Sequence, residues 1–99
     1  MDFEGRITIT TEDGKFFHGW SASELVRALA DDMWGPETNE EYMQGVSHRC
    51  GVWRTGARVR VDDECLFIAD IMREGVVIMA VRDGLELEPE DFERMVDGR

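Results

Sequence analysis

Four side chains carry the chemistry of a metal or nucleophile site: His18, His48, Cys50 and Cys65. Thiolate and imidazole together suit zinc, and a thiolate beside an imidazole suits covalent catalysis. Their spacing supports neither. Zinc sites draw ligands in close pairs of the Cys-x-x-Cys or His-x-x-x-His kind, whereas His48 and Cys50 are separated by one residue, which on a helix sends them about 160° apart. Carboxylates are abundant, but in so acidic a chain abundance is no signal of acid-base catalysis. The 10 glycines are scattered at turns and helix ends, with no phosphate-binding loop among them. The expectation is a protein with no metal, no cofactor and no catalytic residues.

The remaining candidates are charges. Against 11 lysines and arginines stand 22 aspartates and glutamates, a formal net charge of -11. Such a field repels nucleic acid and anionic membranes and attracts basic surfaces, so direct nucleic-acid binding is not expected. The acids concentrate in two segments: Asp62, Asp63 and Glu64, then Asp83, Glu86, Glu88, Glu90, Asp91 and Glu93. These nine are the candidate partner-binding residues, and the plainer reading of them is a helix cap followed by a solvated tail. Residues 45–61 contain no acid and include Arg49, Arg54, Arg58 and Arg60, which makes the molecule dipolar and leaves room for a homodimer. Arg49 falls on the apolar side of a helix, within roughly 60° of Tyr42, Val46 and Trp53. An unpaired charge there is costly, so Arg49 is expected to form a structural ion pair with Asp62 or Asp70.

The elements that position these residues follow from periodicity. At 99 residues the chain suits a single domain. RITITT (6–11) alternates, EDG (12–14) turns, and KFFHGW (15–20) returns with Phe16, His18 and Trp20 on one face, which predicts a hairpin. Ser21 to Glu24 and Thr38 to Glu41 are capping-box patterns, and Gly35-Pro36 separates the two helices they open. Gly45 inside the second helix suggests close approach of a neighbouring element. ARVRV (57–61) reads as a short edge strand, and Asp62 or Asp63 caps a third and most buried helix ending at Gly75. VVIMAV (76–81) reads as a strand covered on both faces, RDG (82–84) turns the chain, and Pro89 opens a short C-terminal helix with Phe92, Met95 and Val96 as its apolar patch. The predicted fold class is α+β: a small, mainly antiparallel sheet of the hairpin and two further strands, packed on three helices, with the acidic segment 83–99 at the end. No apolar run reaches the roughly 20 residues of a membrane span, and a cytoplasmic protein is expected.

The runs EYMQGVSHR and RVRVDDECLFIADIMREGVV resemble a group of small, mostly uncharacterised proteins of phages and prophages. Glu41, Tyr42, Met43, Val46, Arg49, Arg60, Phe67, Ile68 and Gly75 carry the resemblance, which spans about residues 5–77. The apolar run at 76–81 and the acidic end depart from the pattern. The resemblance implies origin in a mobile element, and with it an inhibitor of the anti-CRISPR type. Such a protein occupies the basic surface of a host nucleic-acid-binding complex, by mimicry or by steric block. The alternative is a phage structural or adaptor protein acting through protein contacts or self-assembly, with Trp34, Trp53 and Phe92 as contacts.

Overall fold

The fold is given by a computed structural model that describes residues 5–33, 35, 38–53 and 58–97. Ile7–Thr11 (β1) and Phe16–Gly19 (β2) form the expected hairpin, with Ile7 opposite Gly19 and Ile9 opposite Phe17. Its turn closes through Thr11 N donating to the Lys15 carbonyl at 2.9 Å.

Both capping patterns are used. Ser21 Oγ accepts from Glu24 N at 3.2 Å and opens Ala22–Asp31 (α1). Glu24 reaches back to Trp20 N at 2.8 Å, one residue beyond the usual target of a capping box. At Asn39–Trp53 (α2) the box is reciprocal: Thr38 Oγ1 accepts from Glu41 N at 3.1 Å and Glu41 accepts from Thr38 N at 3.2 Å. Asp63 caps Glu64–Arg73 (α3), accepting from Cys65 N at 2.7 Å. Gly75 then takes a φ of 82°, the left-handed conformation that ends helices.

Val77–Arg82 (β3) turns through Asp83 and Gly84, whose φ values of 54° and 80° are those of a two-residue hairpin, into Leu85–Glu86 (β4). Pro89–Asp97 (α4) follows. The sheet is antiparallel throughout, in the order β2-β1-β3-β4. The fold class is α+β.

Two expectations about strands need correction. The fourth strand is Leu85–Glu86, and the described part of the 57–61 segment is not a strand. Its backbone groups are satisfied by side chains instead of a ladder: Ser47 Oγ donates to the Val59 carbonyl at 2.9 Å, and Arg60 N donates to Asp70 Oδ2 at 2.8 Å. The run at 76–81 is covered on one face only.

The core lies between the sheet and the helices. Ile7, Ile9, Val77 and Ala80 supply its sheet side, while Leu25 and Val26 of α1 and Phe67, Ile68 and Ile71 of α3 supply its helix side. Tyr42 of α2 meets Phe67 edge to face, ring centres 6.0 Å apart. The acidic C-terminal segment is built in, since Phe92 of α4 is 0% exposed. Phe92 is therefore not a contact candidate. Trp34, Arg54 and the side chain of Trp53 lie outside the described residues.

Candidate protein-binding surface

Side chains alternate across a sheet, so the face opposite Ile7 and Ile9 can be read from the register. Thr8 stands opposite His18 on β2 and Val81 on β3, and Val81 stands opposite Glu86 on β4. This row of four crosses the whole sheet. Thr8 Oγ1 and His18 Nδ1 are 3.0 Å apart within it. In the next row Thr10 stands between Phe16 and Met79.

The pairing of β1 with β3 slips between Thr10 and Thr11. Thr10 faces Met79 and Thr11 faces Val77, so Ile78 has no partner of its own and joins Met79 on the outer face. Among the described residues no helix covers this face. Phe16 is 66% exposed, Ile78 59% and Met79 45%. A strand rich in β-branched residues thus presents its apolar side chains to solvent. Ile78 and Met79 also lie where β3 has no neighbour beyond β1, because β4 pairs only with Val81 and Arg82, followed by Leu87 N donating to the Ala80 carbonyl at 2.7 Å.

The nine candidate acids divide in two. Asp63 is the α3 cap, and Glu64 lies near Asn39, whose Nδ2 is 3.5 Å from its carboxylate. Asp83 accepts from Gly5 N at 3.1 Å, tying the hairpin turn to the N-terminal end. Asp91 accepts from Glu88 N at 2.7 Å and pairs with Arg94. Glu90 lies 3.7 Å from Arg73. Glu93 binds two arginines: Arg73 through both guanidinium ends at 2.9 and 3.0 Å, and Arg60 at 2.6 Å. Arg73 first and Arg60 second hold its carboxyl down to about 2. Asp62, Glu86 and Glu88 are exposed, and Glu86 stands on the open face of the sheet.

Arg49 does not form the expected ion pair. It is exposed, and its guanidinium meets Met33 Sδ at 3.9 Å. The buried stripe of α2 runs through Tyr42, Met43, Val46 and Cys50, which leaves Arg49 at its edge, free to extend along the surface. Asp70 is taken by Arg60 instead, with Nε 2.8 Å from Oδ2 and Nη2 2.9 Å from Oδ1. Sequence reasoning missed Arg60 in this role. The signal was present on the other partner: Asp70 lies between Phe67 and Ile71 on an apolar helix, and a carboxylate there requires a cation.

The chemistry-bearing residues are dispersed. His18 is on the open sheet face, His48 is exposed on α2, and Cys50 and Cys65 are buried and not joined in a disulfide. Among the described residues no group of three or more His, Cys, Asp or Glu is placed to hold a metal ion, and no helix is long and apolar enough to cross a membrane. No family model matches the chain, and neither a curated protein nor a solved structure is significantly similar to it. The surface must therefore be read from its own geometry, and its distinctive features are the open sheet face and the acids around it.

Proposed function

We propose that the chain is a non-catalytic protein-binding module that works through the open face of its sheet, and that its partner presents an apolar patch bordered by basic residues. The observation that supports this reading is the exposure of Phe16, Ile78 and Met79 together on a face that no described helix covers. Ile78 and Met79 are adjacent and Phe16 lies across Thr10 from them, and exposed apolar side chains gathered on one face in this way support a protein interaction site. The net charge of -11 selects among partners, since it accelerates encounter with basic surfaces and opposes acidic ones.

Basic nucleic-acid-binding complexes of a host cell belong to that class, and an inhibitor of one of them is the narrower form of the proposal. On this reading inhibition is steric. Phosphate mimicry would rely mainly on Asp62, Glu86 and Glu88, because Asp63, Asp83, Asp91 and Glu93 already serve the fold and Glu64 and Glu90 lie beside Asn39 and Arg73.

The test is capture from host lysate at low and high salt with three baits: the natural chain, Phe16→Ser with Met79→Ser, and Glu86→Lys with Glu88→Lys. The apolar variant is expected to lose the partner at both salt concentrations. The charge variant is expected to lose it mainly at low salt, where steering matters. Capture that survives the apolar variant and disappears with the charge variant would replace this reading with mimicry.

A further inference from the structure

A second feature is the edge of the sheet along β2. In an antiparallel ladder the main-chain groups of successive residues point to opposite sides, so the free groups of a strand follow from its bonds. Thr11 N donates to the Lys15 carbonyl at 2.9 Å, and the register continues this pairing through Ile9 with Phe17 and Ile7 with Gly19. Phe17 and Gly19 therefore bond to β1, while Phe16, His18 and Trp20 turn their N–H and C=O groups outward. The Trp20 N–H follows this rule, since it leaves the sheet to donate to the Glu24 carboxylate at 2.8 Å.

An outward N–H and C=O remain on each of Phe16 and His18, with no hydrogen-bond partner among the described residues. Sheet edges are ordinarily blunted by charge, proline, a bulge or a very short strand. The opposite edge is blunted in this way: β4 is only Leu85–Glu86, and Pro89 follows. Phe16–Gly19 contains no charged residue and no proline, and its register with β1 is regular. At 4 residues it is short, so it accepts a strand of matching length and no more.

The edge is complementary to itself. Two β2 strands laid antiparallel about a twofold axis at Phe17 set Phe16 of each copy opposite His18 of the other. Each such pair exchanges both of its hydrogen bonds, and every outward group of Phe16 and His18 is used. In this register Lys15 stands opposite Gly19 of the second copy. Glu24 lies directly over Gly19, since a Cβ there would be 3.0 Å from Glu24 Cβ. Lys15 is exposed and pairs with Asp32 of its own chain, and the seam places it between that acid and Glu24 of the second copy. The axis repeats this contact of opposite charges. Centring the axis on His18 would instead set Phe16 against Trp20, whose N–H Glu24 already holds.

We propose that the chain pairs with a second copy of itself through the β2 edges, by strand addition, in one continuous sheet with four strands from each copy. The net charge of -11 on each copy opposes encounter, but charges more than about 8 Å apart are largely screened at physiological salt, and the seam itself joins opposite charges. Edge pairing covers neither face of the sheet, so the association does not depend on the role of the open face.

The test is sedimentation equilibrium of the full chain at physiological salt from ~10 μM to ~1 mM, a range set by the weakness of small interfaces, with amide hydrogen exchange followed by nuclear magnetic resonance at both ends of the range. A monomer–dimer equilibrium is expected. At the high end the Phe16 and His18 amides should exchange about fivefold more slowly, while those of Phe17 and Gly19, already bonded to β1, change far less. His18→Pro removes an outward N–H at an edge, where proline is tolerated, and should abolish the dimer; His18→Ala keeps that N–H and should largely retain it. Lys15→Glu sets two acids against each other across the seam and should weaken association at least about fivefold. Sedimentation as a monomer throughout would overturn the proposal and leave the edge to an extended segment of another protein. A dimer whose Phe16 and His18 amides are no better protected, or a folded His18→Pro that dimerises like the natural chain, would overturn it as well.

Discussion

The guanidinium of Arg60 spans both carboxylate oxygens of Asp70, and the backbone N–H of Arg60 donates to the same carboxylate at 2.8 Å. Side-chain fork and main chain thus converge on one nearly buried acid. Through Glu93 the same guanidinium reaches α4, and Arg73 links Glu93 back to α3. Two arginines and two acids join the connection after α2 to the last two helices. A bidentate pair with a buried partner holds geometry far better than exposed pairs do.

Removing Asp70 should therefore be costly. Asp70→Ala leaves Arg60 and its amide without their acceptor, and a loss of about 3 kcal/mol is expected. Arg49→Ala removes an exposed side chain with no ion pair among the described residues and should stay within about 0.5 kcal/mol. Urea denaturation of the two variants checks the order. A larger loss at Arg49 would return it to the role its helical position suggests.

The same network predicts acid sensitivity. Burial pushes the Asp70 carboxyl up, but the bonds from Arg60 outweigh it and leave the group below its ordinary value. Glu93 is held at about 2. Both folded values lie below those of the unfolded chain, which are near about 4. The stabilisation is thus fully present above that range and is lost as pH falls toward about 2. Glu93→Gln should lower the urea midpoint at neutral pH and flatten its decline between about pH 4.5 and about 2. A decline as steep as that of the natural chain would place the acid sensitivity in other carboxylates.

The helices were legible because their signals are local. Ser21, Thr38 and Asp63 sit one residue before the helices they open, and the caps depend on chemistry within a few residues. The sheet was less legible because it depends on what lies far away in sequence. ARVRV alternates like a strand, yet Asp70 and Ser47 satisfy its backbone first. VVIMAV has the continuous apolar pattern of a doubly covered strand, and nothing within it shows that the second layer is missing. The same limit applies to the open face: Phe16 and His18 were placed together by alternation, but Ile78 joins Met79 on that face only through a register slip set by β1. The acids were visible as a group, and which of them serve the fold was not.

Two glycines separate close approach from mere tolerance. A Cβ on Gly19 would lie 2.9 Å from the backbone N of Leu25 and 3.0 Å from Cβ of Glu24. The start of α1 can rest on β2 only because Gly19 has no side chain. Gly19→Ala should cost about 1–3 kcal/mol by overpacking. Gly45 behaves differently: a Cβ there would meet only Arg49 Nη1, at an ordinary 3.7 Å, so the close neighbour expected at that position is absent among the described residues. Gly45→Ala should raise stability by about 0.5–1 kcal/mol, through the helix preference of alanine. Thermal melts of both variants, read for opposite signs, provide the check.

The open face makes the sharpest contrast with the core. Ile9 and Ile78 are both isoleucines in the same sheet, one 0% exposed and the other 59%. Replacing Ile9 with threonine puts a hydroxyl where no water reaches and removes packed methyl contacts, and a loss of about 2–4 kcal/mol is expected. Replacing Ile78 with threonine keeps a β-branched residue on a strand and changes only what faces solvent, so stability should hold within about 0.5 kcal/mol. On the proposed reading this exposed apolar surface serves contact with a partner and contributes little to folding. Ile78→Thr with Met79→Thr should therefore leave the urea midpoint in place while sharply reducing the fluorescence of a hydrophobic dye bound to the native protein. If the dye signal persists, the exposed apolar surface lies elsewhere. If stability falls by more than about 1 kcal/mol, Ile78 and Met79 belong to the packing of this chain and not to its meeting with another.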